Sequence, residues 1–443
     1  MKNKNFREQR PQQSQEPISV SFYYGWIIVA LSGLAFFFSG PGQTYSISVF
    51  INYYIESFGW SHSLVSGLYS GATLISGLTL SRVGRLIDIY GHRRMATVVA
   101  IVFALVCLWM SFVVNPLMLV IGFFFLRLSG QGSMSMLGQT LPPLWFEKRR
   151  GFALSLTVLG GILGAAAIPL INNYLIQNYS APLAWRFWAL MLSVVMATTG
   201  WFLIRDKPED IGEKIDGRAY RQKFAEAQEN GNEGLFSTPS VEVSPVSWTL
   251  EEARRTRAYW LMLYCAGMNA MVGTGITFHL VSIIMEKGHT PGLAAVLLGF
   301  RPLLQFPFSL LAGRIFDRFP LHLVKAGNYI LMTLAIVLLM VTRHTGTLFL
   351  YAGIYGIFMG FEFISNAVVW PNYFGKEHLG SIRGSAMTAM VIGSALGPLP
   401  FGLAFDLTGS FSLILGLTLI FPLLAMLASY LAPRPVHPRE ESQ

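Results

Sequence analysis

Charge is what this 443-residue sequence has least of: Asp, Glu, Lys and Arg together make up 12% of it, where soluble domains carry roughly a quarter. So few charges cannot cover a water-facing surface, which excludes a soluble enzyme. Cysteine is almost missing as well. The two present, Cys107 and Cys265, lie inside apolar runs, which rules out a disulfide scaffold and gives neither thiol a redox partner. The eight histidines fall at no metal-ligand spacing, and there is neither a G-x-S-x-G elbow nor a phosphate-cradling loop ending in lysine. The sequence therefore predicts no enzyme, no metal and no cofactor. A cleavable leader is not expected either: the first 20 residues are polar, and the first apolar run is too long and lacks a small-residue cleavage site.

What fills the sequence instead is hydrophobic residues, 53% of the total, with a mean hydropathy of +0.50. A helix needs about 20 mostly apolar residues to cross roughly 30 Å of hydrocarbon. Twelve such stretches can be drawn, at about 24–50, 62–84, 94–114, 117–146, 152–175, 184–205, 258–285, 291–316, 323–342, 346–371, 381–405 and 410–432. The fold class is an all-α membrane protein of twelve transmembrane helices. An even number puts both termini on one side, and the cations say which. Of the 32 Lys and Arg, 27 fall in the tails and in the loops after helices 2, 4, 6, 8 and 10; the opposite side keeps Lys287, Arg343 and the rim residue Arg186, while Arg127 and Arg301 lie within helices. By the positive-inside rule both termini are cytoplasmic, here at a bacterial inner membrane. The pI of about 9.5 thus reflects topology, and nucleic-acid binding is not expected.

Residues 206–257 form the one long polar stretch, with 8 basic and 11 acidic residues, and read as a cytoplasmic linker with one short helix near 219–230. The predicted organisation is a tail over 1–23, a six-helix bundle over 24–205, the linker over 206–257, a second six-helix bundle over 258–432 and a tail over 433–443. The halves repeat at an offset of 229 residues: Gly59 matches Gly288, Gly84 matches Gly313, Arg85 matches Arg314, Asp88 matches Asp317, Pro142 matches Pro371, Gly164 matches Gly393 and Pro169 matches Pro398. These residues set turns and kinks, which a duplicated bundle preserves. Two pseudo-symmetric bundles suggest a rocking transporter, for which a monomer suffices.

After helix 2 the sequence reads GRLIDIYGHRR, with Gly84, Arg85, Asp88, Gly91, Arg93 and Arg94, and after helix 8 GRIFDR, with Gly313, Arg314 and Asp317. These runs resemble the signature loop of the major facilitator superfamily. A helix-terminal carboxylate and arginines there bridge neighbouring helices and hold the cytoplasmic face closed; the plainer reading is a basic anchoring loop. WFEKRRGFALSL from Trp145, PEDIG from Pro208, TLEEARRTRAYW from Thr249 and YFGKEHLGSIRG from Tyr373 are similar to segments of the monocarboxylate porters, especially their bacterial oxalate/formate-antiporter-like relatives. That resemblance covers nearly the whole chain and implies the major facilitator fold and secondary transport of small organic anions, by proton symport or anion exchange.

Ionisable groups at membrane depth are costly, so each needs a partner, a wet cavity or a function. Arg301 lies about ten residues into helix 8 and is followed by Pro302 and Pro307. A planar guanidinium suits a carboxylate, donating two parallel bonds without ever losing its proton. Arg301 matches the helix-8 arginine with which the resembled porters hold the substrate carboxylate; the alternative is a structural ion pair. Arg127 in helix 4 and Glu362 in helix 10 fall, by the same resemblance, on facing cavity walls. Either they pair and fix the inter-bundle geometry, or Glu362 exchanges protons during transport. His279, near the end of helix 7, is a candidate for proton or substrate binding, or a satisfied helix-end histidine. Tyr45, Tyr69, Asn269, Tyr355 and Asn366 are candidates to hydrogen-bond a substrate, with helix packing as the alternative.

Departures from the resembled porters narrow the substrate. Tyr45 stands where animal monocarboxylate porters carry a lysine, Leu297 where they carry an aspartate, and residues 384–405 lack the second helix-11 cation of oxalate exchangers. Counting charge, Arg301 alone balances one carboxylate, which favours a short monocarboxylate such as lactate, pyruvate or formate. The alternatives are a major facilitator exporter of drugs or other hydrophobic compounds, and a sensor that binds an acid without moving it. GQGSMS from Gly130, lying within a helix with no preceding strand, reads as packing and not a dinucleotide loop. GGILG from Gly160 and GSALG from Gly393 place glycines four apart, which lets helices approach closely.

Overall fold

The computed structural model describes residues 22–217, 247–375 and 377–437; the short helix expected near 219–230 lies outside them. Twelve helices among the described residues are long and apolar enough to cross a membrane: α1 (Gly25–Phe58), α2 (His62–Tyr90), α3 (His92–Met110), α4 (Pro116–Trp145), α5 (Arg150–Asn178), α6 (Ala181–Leu203), α7 (Arg257–Glu286), α8 (Pro291–Phe316), α9 (Leu321–Val341), α10 (Thr345–Phe374), α11 (Leu379–Thr408) and α12 (Ser412–Tyr430). In hydrocarbon every backbone polar group must be satisfied within the segment, and a helix does this alone.

The apolar cores divide where the linker does. One cluster runs from Tyr24 to Ile204 and takes in only Phe278 from beyond the linker. A second runs from Cys265 to Ala428 and takes in only Val49 from the first half. The chain is thus two six-helix bundles, and the repeat in the sequence has a structural counterpart. Gly59 and Gly288, at equivalent turns, both adopt the left-handed backbone, φ 66° and 85°, which glycine enters without steric cost. In the first bundle Gly160 of α5 abuts the Gly33 carbonyl of α1; in the second, Gly393 of α11 abuts that of Gly267 in α7. Side chains at these glycines would push the helices apart, so the glycines spaced four apart are packing contacts in both halves.

α6 turns π-helical over Leu192–Ala197, and α1 and α4 also depart from regularity near mid-membrane. A 3-10 turn, Gly40–Gly42, interrupts α1, and α4 is π-helical over Arg127–Met134. The two irregular segments pack together: a side chain on Gly42 would strike the Leu126 carbonyl, and one on Gly130 would strike Gly42.

Several boundaries move from the sequence expectation. α2 continues to Tyr90, so Gly84, Arg85 and Asp88 lie on the last turns of a helix and not in a loop, with Gly91 as its cap. Arg93 and Arg94 open α3. Gly313 and Arg314 end α8, and Asp317 caps it. α1 extends to Phe58, past the polar run Asn52 to Glu56. At the end of the linker a short helix, Leu250–Arg254, is set by a capping box between Thr249 and Glu252.

Each end of the linker is fastened to its own bundle. The Asp216 carboxylate accepts from the backbone of Glu147 and Lys148 at 3.0–3.2 Å, and Trp248 donates its backbone N–H to the Phe374 carbonyl. Tyr23 donates its hydroxyl to the Trp145 carbonyl at 2.6 Å; burial and the nearby Glu213 and Asp216 carboxylates raise its pKa, keeping it a donor.

Candidate functional site

Arg301 is buried, at 6% exposure. It stands ten residues beyond Pro291, about 15 Å from the start of α8 at 1.5 Å per residue. Pro302 cannot donate to the carbonyl four residues back, which loosens the helix beside it. The guanidinium meets α10, where Tyr351 and Tyr355 lie one turn apart: it donates to the Tyr351 hydroxyl and lies 5.0 and 4.6 Å from the two ring centres. A third contact runs from Nη1 to Thr277 Oγ1 in α7 at 3.4 Å, and Nε has no partner. No carboxylate pairs with Arg301 among the described residues. Two aromatic faces stabilise a cation partially, and the net charge stays positive.

Glu362 and Arg127 do not pair, contrary to one of the sequence readings. Glu362 forms an ion pair with Lys325 of α9 at 2.7 Å, both side chains at 1% exposure. Asn366 donates to the same carboxylate oxygen at 3.2 Å and Tyr329 lies at 3.5 Å. The network closes inside the second bundle, with Asn366 serving Glu362. Lys325, four residues into α9, passes in the sequence for one more cytoplasmic loop cation. Its spacing from Asn328 and Tyr329, one helical turn on, is the signal that it faces the core.

Arg127, at 3% exposure, lies over the Tyr69 ring at 5.2 Å. Its Nη1 donates to the Gly42 carbonyl and to Thr44 Oγ1, each at 3.4 Å. Thr44 Oγ1 and the Tyr69 hydroxyl are hydrogen-bonded at 2.8 Å, and the Tyr69 ring meets Phe278 of α7 with centroids 4.4 Å apart. Tyr45 packs against both apolar cores and so stands between the bundles. Asn269 is buried with Oδ1 unpartnered, but no contact ties it to Arg301.

His279 belongs elsewhere. Fully buried, its Nε2 lies 3.0 Å from Ser66 Oγ and 3.1 Å from the Pro398 carbonyl, in a seam that joins the bundles on the face away from the termini. Asp406 of α11 accepts the backbone N–H groups of His62 and Ser63 at 3.1 and 2.8 Å, capping the start of α2 across the divide. Nearby, Asn52 of α1 accepts from Ser282 of α7 at 2.6 Å, and Gly402 abuts the His62 carbonyl. Inter-bundle hydrogen bonds among the described residues all lie on this face. On the opposite face the signature residues stay within their own bundle. Arg93 donates to the Trp201 carbonyl and its backbone to Asp206, while Arg85 and Asp88 are exposed. The hydrogen bonds that join the bundles among the described residues thus gather on the face away from the termini.

Two six-helix bundles with buried cations at mid-membrane are the architecture of a membrane transporter. The model of the Major Facilitator Superfamily matches residues 26–398, and the chain belongs to that superfamily. No curated protein matches the sequence. Among solved structures it is similar to a bacterial homolog of the human lysosomal transporter Spinster. In that protein's inward-facing, unoccupied conformation the identity is 14% and the TM-score 0.66, covering 93% of this chain and 98% of the other. For the inward-facing, occupied conformation the values are 14%, 0.67, 93% and 97%. At this identity the likeness bears on the fold alone, and it is the family match that points to transport rather than catalysis.

Proposed function

We propose that this chain moves small organic anions bearing a carboxylate across the membrane, by exchange, with Arg301 as the carboxylate anchor. The observation that carries the reading is the lack of any acidic partner, among the described residues, for a guanidinium sunk about 15 Å into α8. A buried cation without a counter-ion costs several kcal/mol, and a carboxylate held by two parallel N–H bonds offsets that cost when it binds. Tyr351 and Tyr355 hold the guanidinium in place, and Thr277 brings α7 against it. Exchange is favoured over proton symport because Glu362, the acidic group available to carry a proton, is already neutralised by Lys325 inside its own bundle. The excess of Lys and Arg on the terminal side supports cytoplasmic termini in a bacterial inner membrane.

Thermal unfolding of the purified protein, titrated with short mono- and dicarboxylates, tests the reading through ligand-linked stabilisation. At a concentration 100 times its Kd, a substrate contributes about 2.7 kcal/mol. Wild type is expected to be stabilised, and Arg301→Lys, which keeps the charge and loses the planar fork, to need at least about tenfold more acid. Equal stabilisation of both proteins would remove Arg301 as the anchor. Stabilisation by lipophilic cations and not by acids would favour the exporter reading.

A further inference from the structure

With Lys325 taking Glu362, Arg127 is left without an acidic partner among the described residues. Its two hydrogen bonds both leave Nη1 and both measure 3.4 Å, while Nε makes none. A guanidinium carries five N–H donors, and keeping one at 3% exposure with Nε–H unpartnered and only neutral groups around it is unfavourable unless an anion completes it. The backbone around it is irregular. Arg127 opens the π-helical segment of α4, which packs on the break in α1. At membrane depth such backbone persists where it is enclosed by protein or lines a cavity, and π-helical segments are frequent at functional sites.

Arg127 stands eleven residues beyond Pro116, about 16 Å from the start of α4, and Arg301 about 15 Å from the start of α8. Both helices begin on the face away from the termini, so the two cations occupy one level, one in each bundle. A short run of contacts joins them: Arg127 on the Tyr69 ring, Tyr69 on Phe278 across the divide, and Arg301 on Thr277 next to Phe278 in the chain.

We propose that Arg127 is a second anion anchor contributed by the first bundle, and that the site takes a small dianion, a dicarboxylate with one carboxylate on Arg301 and the other on Arg127. The proposal rests on the carboxylate reading of Arg301 and reverses the sequence-based charge count that favours a monocarboxylate. It assigns the second cation to α4, and not to the eleventh helix, where residues 384–405 contain neither Lys nor Arg. A dianion spanning both guanidiniums ties one bundle to the other, which a monoanion cannot do.

The test measures dissociation constants of the full-length protein in detergent at neutral pH for three pairs of acids: oxalate with acetate, malonate with propionate, and succinate with butyrate. For at least one pair, wild type should bind the diacid at least about tenfold more tightly, a difference of about 1.4 kcal/mol. Arg127→Gln should bring that ratio down to about two while leaving monoacid affinity within about threefold, and Arg127→Lys should keep part of the preference. No diacid preference in wild type, or a ratio unchanged by Arg127→Gln, overturns the proposal. An equal loss for both acids overturns it too, since that marks a structural role. If Arg127→Gln does not fold, the ratio in Arg127→Lys decides, and an unchanged ratio there counts against the proposal. Arg301→Gln separates the two readings: if it leaves both acids bound as before, the carboxylate anchor itself fails, whereas loss of binding there with no ratio effect at Arg127 overturns the dianion alone.

Discussion

Lys325 and Glu362 neutralise each other at 1% exposure, and what that pair does for the protein is measurable one side chain at a time. Removing a single partner leaves an uncompensated buried charge, at a cost of about 3–5 kcal/mol, whereas replacing both by apolar residues is often neutral. Lys325→Met should therefore lower the unfolding midpoint steeply in a thermal scan, and the double variant with Glu362→Met should recover most of it. If the double variant is no better than the single, the pair does not act as a unit. Transport bears on the second reading of Glu362. Glu362→Gln is expected to leave acid exchange with the same pH profile; a profile flattened by this change would restore Glu362 as a proton carrier. At this scale the sequence was half legible. Arg301, Arg127 and Glu362 stand out as charges inside apolar runs, but their partners do not. Lys325 sits where positive-inside cations accumulate, and only its one-turn spacing from Asn328 and Tyr329 sets it apart from a cation facing a headgroup.

Among the elements, the seam between α2 and α11 has the clearest consequence. Asp406 accepts two backbone N–H groups at the start of α2, where the helix dipole favours negative charge. Outward opening requires that cap to break. Asp406→Asn keeps one acceptor and loses the charge, so it should shift the protein toward the state open on that face. Spin labels flanking the seam are expected to show the separated population rising by about threefold to tenfold; an unchanged distance distribution would mean that packing of His62, Phe405 and Gly402 holds the seam alone. Helix number was legible because twelve apolar runs cannot be hidden. Helix ends were less so. GRLIDIY carries charges and reads as loop, yet it continues α2 for another turn or more because polar side chains at a helix end reach the interface while the backbone bonds go on. The break in α1 carried Pro41 between two glycines, whereas the π-helical stretch of α4 had only its glycines to announce it, and glycine in a membrane helix is as often a packing contact.

On the scale of the whole molecule, the duplicated design and the uncompensated cations at its centre belong to one mechanism. Each bundle has its own core and its own fastened end of the linker, which suits the rocking that the proposed function requires, and the two touch through small residues, single side chains and one helix cap. An empty site would carry its positive charge through the closed intermediate, in low dielectric and away from water, which opposes the unloaded transition. On the proposed reading an anion on Arg301 would remove that obstacle in both directions, so loaded exchange should outpace net flux. The repeat foretold the bundles, whereas the neutralising role proposed for the substrate depends on which charges lack partners, a property of packing that no spacing rule conveys.

The measurement that bears most directly on this account is counterflow in proteoliposomes: labelled short carboxylate outside, a high concentration of the same unlabelled acid inside. Wild type should accumulate label transiently above equilibrium and do so far more slowly without internal acid, and Arg301→Gln should lower the initial rate by at least about a hundredfold, as expected for loss of a charge-assisted bidentate contact worth about 3 kcal/mol. Label entering equally fast with or without internal acid, or counterflow surviving intact in Arg301→Gln, would contradict it.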